Sequence, residues 1–357
     1  MSGHEILIAV MGAFAVLGAV DRVLGNRFGI GEKFEEGILS MGSLAMAMLG
    51  VICLAPVLAA VLKPVVVPVF GLLGADPAMF AGSILACDMG GGSLARELTT
   101  DADAAALGGV ITGSMLGATL VFTLPVAMGI LEERDRPAMA RGVLCGIVTI
   151  PVGVLVGGLT AGFGFGMVLR NLLPIVLFGA LIALGLWRAE NAMIRGFAVF
   201  GKGVVAVITL ALAAAILEEL TGFAIIPGLA PLSEGFEIVG EIAIVLAGAF
   251  PLVHVVTKVF HRPLMRLGKA LGINDPAAAG LVASLANSIA TFRLVRDMDE
   301  RGKVVNIAFA VSAAFVFGDH LGFAAGFAPE MILPMILGKL AGGIAAVAVA
   351  LFVTRER

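Results

Sequence analysis

The sequence predicts an all-α polytopic membrane protein, with about nine transmembrane helices and two re-entrant helical hairpins arranged as an inverted-topology repeat. Three observations lead there. Hydrophobic residues make up 60% of the 357 residues and charged residues only 14%, against roughly 25% charged in soluble domains. Apolar runs of the roughly 20 residues that a bilayer crossing needs recur along the whole chain. A shift of 199 positions lays Lys63-Pro64 on Arg262-Pro263, Asp76-Pro77 on Asp275-Pro276 and Asp88 on Asn287.

Nine runs read as spanning helices, at about 4 to 21, 38 to 62, 104 to 131, 138 to 161, 168 to 187, 198 to 217, 237 to 257, 303 to 325 and 330 to 354. The first has no basic region ahead of it and ends at Asp21-Arg22 without a small-residue cleavage pattern, so it reads as a retained span rather than a signal peptide. Gly is used 48 times, which suits helix packing in lipid, where small residues let backbones approach. With no Tyr and a single Trp, Trp187, aromatic belts do not locate the interfaces. Two further segments, about 77 to 98 and 276 to 294, are apolar but short. Each follows the repeated Asp-Pro and carries Asp88 or Asn287 near its centre.

Charge decides how those two segments are used. If all eleven segments cross, Lys and Arg divide 11 to 11 between the two sides. If the two short ones return to the side they left, 19 of the 23 Lys and Arg face one side. Only Lys63, Arg96 and Arg170 then face the other, with Lys339 inside the last span. The second arrangement obeys the positive-inside rule and predicts an outside N-terminus and a cytoplasmic C-terminus. The chain then divides into a first repeat, 1–165, a connecting transmembrane helix, 166–195, and a second, inverted repeat, 196–357. Inverted repeats whose broken helices meet near the bilayer midplane are a recurrent plan of secondary transporters.

The candidate site follows from the polar residues at membrane depth, since an ionisable group there is costly and by default marks a substrate or ion path. Asp88-Met89-Gly90 forms the tip of the first hairpin and Asn287-Ser288 the tip of the second. Asp88 suits a counter-ion for a cationic substrate, through a charge-assisted hydrogen bond; its plainer role is a helix cap. Asn287 and Ser288 offer hydrogen bonds, and Phe80, Phe315 or Phe323 a cation-π face. Asp319-His320 is a second pair embedded in apolar sequence: Asp319 reads as a second counter-ion, and His320 as a proton-coupling group or a hydrogen-bonded buried residue. Glu35-Glu36, near Arg27 and Lys33, reads as an interfacial salt-bridge cluster, His254 as structural, and Lys339 as snorkelling or paired with a buried acid.

Other functions find no signature. Gly90-Gly91-Gly92 is followed by Ser93-Leu94 and is no phosphate loop, and neither HExxH nor GxSxG occurs. Catalytic residues, metal ligands and cofactors are therefore not expected. Cys53, Cys87 and Cys145 lie far apart and read as packing residues. A net charge of -3 without a basic patch argues against nucleic acid.

The runs Phe34-Glu35-Glu36-Gly37, Ala86-Cys87-Asp88-Met89-Gly90-Gly91, Arg301-Gly302-Lys303-Val304-Val305-Asn306, Ala308-Phe309-Ala310-Val311-Ser312-Ala313-Ala314-Phe315 and Gly318-Asp319-His320-Leu321-Gly322-Phe323-Ala324-Ala325 resemble the bacterial ethanolamine utilisation transporter family, EutH. The resemblance spans nearly the whole chain. It implies an inner-membrane permease for ethanolamine uptake, not an enzyme, with ethanolamine and the lipid bilayer as its partners. A homodimer is expected only by analogy with other transporters. The connection 162–169 is shorter than the resemblance leads one to expect. The residues leave open a cation- or proton-coupled carrier of another small amine (choline, an amino alcohol or a basic amino acid) and a channel-like facilitator.

Overall fold

The computed structural model describes residues 3–355. Arg357, counted above among the cytoplasmic charges, lies outside them, as do the side chains of Arg262 and Lys269. Among the described residues the regular elements are helical. The first half comprises α1 Gly3–Val23, α2 Ile30–Leu72, α3 Ala78–Ile84, α4 Gly91–Leu98, α5 Ala102–Ala105, α6 Leu124–Ile130, α7 Arg136–Ile147 and α8 Ile150–Thr160. Then follow α9 Phe165–Thr221, α10 Leu232–Ala270, α11 Asp275–Ala286, α12 Ser288–Leu294, α13 Glu300–Ala313, α14 Asp319–Phe327 and α15 Ile332–Val353. The protein is an all-α polytopic membrane protein.

Among the described residues, seven helical runs are long and apolar enough to cross a bilayer. The predicted spans at 168–187 and 198–217 lie on the two sides of a kink in α9, where Ala189 has non-helical backbone (φ -144°, ψ 49°) and two helices meet. The predicted span at 303–325 is interrupted, with α13 ending at Ala313 and α14 starting at Asp319. Helix α2 has 43 residues and contains Pro56, Pro64 and Pro68. At 1.5 Å per residue it rises about 65 Å, roughly twice the hydrocarbon thickness, so it must tilt or extend beyond the apolar layer.

Both short segments fold back on themselves. In the first, α3 and α4 flank a tight 3₁₀ turn at Cys87–Met89. The Asp76 carboxylate accepts from Thr99 Oγ1 at 2.9 Å and closes the base. In the second, Asn274 Nδ2 donates to the Asp297 carbonyl at 2.9 Å. Thr291 in α12 donates to the Gly280 carbonyl in α11 (2.9 Å), and its hydroxyl meets that of Ser284 at 2.8 Å. Each base contact joins residues 23 apart in sequence, a span that a straight helix would stretch to about 35 Å.

The first hairpin lies on a π-helical stretch, Ala106–Gly117, continued at Thr119–Thr123. Small residues on both sides allow that approach: Gly108 sits against the Ala78 carbonyl and Gly109 against Gly92 and Ala95. Long helices cross on the same terms. Gly37 of α2 lies against Ala247 of α10, and Gly235 of α10 against Leu49 of α2, so the two run antiparallel. Gly248 of α10 meets Met11 of α1, while Gly50 of α2 meets Ile208 of α9. Larger residues at these crossings would push the backbones apart and forfeit the dispersion contacts that hold helices together in lipid.

Candidate functional site

The break between α13 and α14 organises the site. Phe315 adopts left-handed backbone (φ 62°), which costs a non-glycine residue about 1–2 kcal/mol. Its amide donates to the Ser284 carbonyl at 3.0 Å, and the Phe317 amide to the Leu285 carbonyl at 2.9 Å. The second hairpin thus supplies the hydrogen bonds that the broken helix lacks, as irregular backbone at membrane depth requires. This contact brings Asn287 next to the start of α14, where Asp319 and His320 stand.

The tip of the first hairpin arrives from the other direction. Asp88 Oδ1 lies 3.8 Å from His320 Nε2. Gly90 terminates the tip at φ 95°, with Val51 packed where a Cβ would project. Asp88, Met89, Asp319 and His320 line one small cavity with Phe122 and Phe315. The Phe315 ring stands 5.3 Å from the imidazole and 5.4 Å, edge to face, from Phe122. At about 30 Å³ the cavity is water-sized.

A second cavity of about 720 Å³ runs from Lys33, Glu36, His254 and Thr257 to Asn287 and Asp319. Asp319 therefore lines both the larger space, here called the vestibule, and the small inner cavity. On the opposite flank, Arg96 donates to the Phe327 carbonyl at 2.6 Å and lies 3.5 Å above the Phe327 ring. That ring stacks on Phe323 at 4.7 Å.

The expected residues divide accordingly. Asp88, Met89, Asp319 and His320 come together in one cavity. Asn287 faces the vestibule instead, and its Oδ1 caps α12 by accepting from the Ile289 amide at 2.7 Å. Ser288 is fully buried, its hydroxyl has no hydrogen-bond partner, and it lines neither space. Gly90 shapes the tip without lining the cavity. The salt-bridge reading of Glu35-Glu36 holds, with Arg22–Glu35 at 3.0 Å and Lys33–Glu36 at 2.5 Å. His254, read as structural, lines the vestibule.

Two residues belong to the site without a local sequence signal. Cys87, read as packing, has its sulfur 4.0 Å from Asp88 Oδ1. Lys339 does not snorkel. It is 1% exposed, donates to the Ser114 carbonyl of the π-helical stretch at 2.5 Å, and interacts electrostatically with Cys87 and Asp88. Among the described residues no carboxylate lies within ion-pair distance of it. Only tertiary packing of α15 on that stretch brings it here.

The profile of the family described as "Ethanolamine utilisation protein, EutH" matches residues 4–353. A protein of Listeria monocytogenes named "Probable ethanolamine permease EutH" is 60% identical, over 100% of this chain and 95% of that protein. One from Bacillus subtilis, "Uncharacterized protein YxeR", is 49% identical over 99% and 96%. Another "Probable ethanolamine permease EutH", from Escherichia coli, is 48% identical over 98% and 95%; its alignment runs to 389 positions. That exceeds the 357 residues here, so the Escherichia coli chain carries insertions. No solved structure matches. The profile match and the identity over the full length settle the assignment: the chain belongs to the EutH family of ethanolamine utilisation proteins.

Proposed function

We propose that this protein is a permease, not an enzyme, that carries ethanolamine across the bacterial cytoplasmic membrane as the protonated amine. The observation that carries this reading is the cavity between the first hairpin tip and the start of α14, lined by Asp88 and Asp319, with Asp319 also lining the larger cavity beside it. Two carboxylates in a tight apolar space repel each other and are expensive to desolvate. A bound ammonium offsets both costs with charge-assisted hydrogen bonds, and the Phe315 or Phe122 ring adds a cation-π face. Asn287, at the vestibule end, meets the hydroxyl through its free amide donors.

The transport cycle we infer is alternating access between two inverted repeats, with the vestibule opening to the cytoplasm and the N-terminus outside. Paired contacts support the repeat. The Gly37–Ala247 and Leu49–Gly235 crossings exchange to within a residue under the 199-position shift, and Met11–Gly248 and Ile208–Gly50 exchange to within two. The hairpin bases Asp76–Thr99 and Asn274–Asp297 correspond in the same way. With the Arg96–Phe327 contact closed and the vestibule open, the geometry suits the inward-facing state. Ethanolammonium is larger than the water-sized cavity, so its binding requires the Phe315 and His320 rings to shift. His320 beside Asp88 favours proton coupling over simple facilitation.

Counterflow tests the reading. Proteoliposomes loaded with unlabelled ethanolamine should accumulate labelled ethanolamine saturably, with competition by ethanolamine and little by choline, alanine or lysine. Competition by choline or lysine equal to that by ethanolamine would replace the substrate with another small amine. No counterflow from folded protein would remove the assignment altogether.

A further inference from the structure

We propose that Cys87, Asp88 and His320 form a binding site for a thiophilic divalent cation such as Zn²⁺, Cd²⁺ or Co²⁺, through which the metal blocks the carrier. The sequence hides this site, because Cys87 and His320 are 233 positions apart and no motif links them. In the fold, one ligand atom from each of the three lies within 4.8 Å of the others. Cys87 Sγ to Asp88 Oδ1 is 4.0 Å and Asp88 Oδ1 to His320 Nε2 is 3.8 Å. Tetrahedral zinc with bonds of about 2.0 to 2.3 Å sets its ligands roughly 3.3 to 3.7 Å apart. The two measured pairs therefore close by about 0.7 Å or less, and the third, at most 4.8 Å apart, by about 1.5 Å or less, within the reach of side-chain rotation at the hairpin tip.

The donor set also selects the ion. Sulfur and imidazole nitrogen favour zinc, cadmium and cobalt over sodium, magnesium or calcium. On binding, the Cys87 thiol releases its proton; the thiolate and the Asp88 and Asp319 carboxylates then balance the ion and the Lys339 ammonium, with the imidazole neutral. A fourth position faces the water-sized cavity beside Asp319, so a water completes the shell. His320 Nδ1 is buried without a hydrogen-bond partner. A ligating histidine normally donates that second N–H to an outer partner, whose loss weakens binding about 10- to 100-fold. The site is accordingly exchangeable and inhibitory rather than structural. Its effect on transport rests on the proposal that Asp88 binds the substrate; the metal binding does not.

Co²⁺ titration of the purified full-length protein in detergent tests the binding directly. The expected result is a thiolate-to-cobalt charge-transfer absorption saturating at one ion per chain and displaced by Zn²⁺. The band should disappear in Cys87→Ser, persist in Cys145→Ser, and shift in His320→Gln. Absence of the band, or its survival in Cys87→Ser, would overturn the proposal. In proteoliposomes, Cys87→Ser should need at least about tenfold more Zn²⁺ than the unaltered protein to halve its own metal-free exchange rate. A Cys87-dependent band together with metal-insensitive exchange would leave the metal site standing. It would instead overturn both the block and Asp88 as substrate counter-ion.

Discussion

Replacing Asp88 by asparagine removes a negative charge and almost nothing else. The side chains are isosteric, so the cavity lined by Asp88, Asp319, His320, Phe122 and Phe315 keeps its shape. What is lost is one of two carboxylates available to an ammonium. A net hydrogen bond to a charged group contributes about 1.5–3 kcal/mol, and each 1.4 kcal/mol is a factor of ten. Apparent affinity for ethanolamine should therefore fall about 10- to 150-fold. Asp319 borders the same cavity, so exchange at saturating ethanolamine should persist in Asp88→Asn and vanish in the double variant with Asp319→Asn. The assay is the concentration dependence of counterflow, with equal amounts of monodisperse protein in each proteoliposome preparation. A half-saturating concentration within about twofold of the unaltered protein, less than 0.5 kcal/mol, would refute Asp88 as the counter-ion.

Three further outcomes follow from the geometry. Gly90→Ala combines left-handed backbone, about 1–2 kcal/mol, with overlap on the Val51 side chain, so thermal unfolding in detergent should begin at lower temperature. Adding Val51→Ala should restore the steric part only, and an unchanged melting temperature in Gly90→Ala would contradict the turn geometry. Lys339→Met replaces a buried ammonium by an apolar chain of similar length. Removing the ammonium takes the donor from the buried Ser114 carbonyl, a loss of about 1–3 kcal/mol, so the melting temperature should fall; an unchanged value would mean that the Lys339–Ser114 contact does not hold α15 in place. Glu97→Cys and Glu300→Cys, at exposed positions, should react with an impermeant thiol reagent from opposite sides of the membrane. Labelling of both from one side would exclude the inverted hairpin topology.

The sequence by itself determined the membrane class and the all-helical character, because composition and the length of apolar runs act locally along the chain. It also marked Asp88 and the Asp319-His320 pair, since ionisable residues in apolar surroundings stand out wherever they occur. Tertiary structure decided which of them meet. Ser284 and Leu285 carbonyls satisfy the Phe315 and Phe317 amides, and that exchange of hydrogen bonds opens a span whose apolar run, with no proline between 303 and 325, reads as continuous. Backbone pairing leaves no trace in hydropathy. The π-helical stretch is equally silent, since the same residues suit either winding until a glycine-lined hairpin packs on it. Asn287 and Ser288 were legible as a tip but not in their final roles, as capping and burial depend on where the neighbouring helix begins. Cys87 and Lys339 join the site because α14 and α15 return across the first hairpin, and three-dimensional proximity between distant residues is the one property that a single sequence does not encode locally.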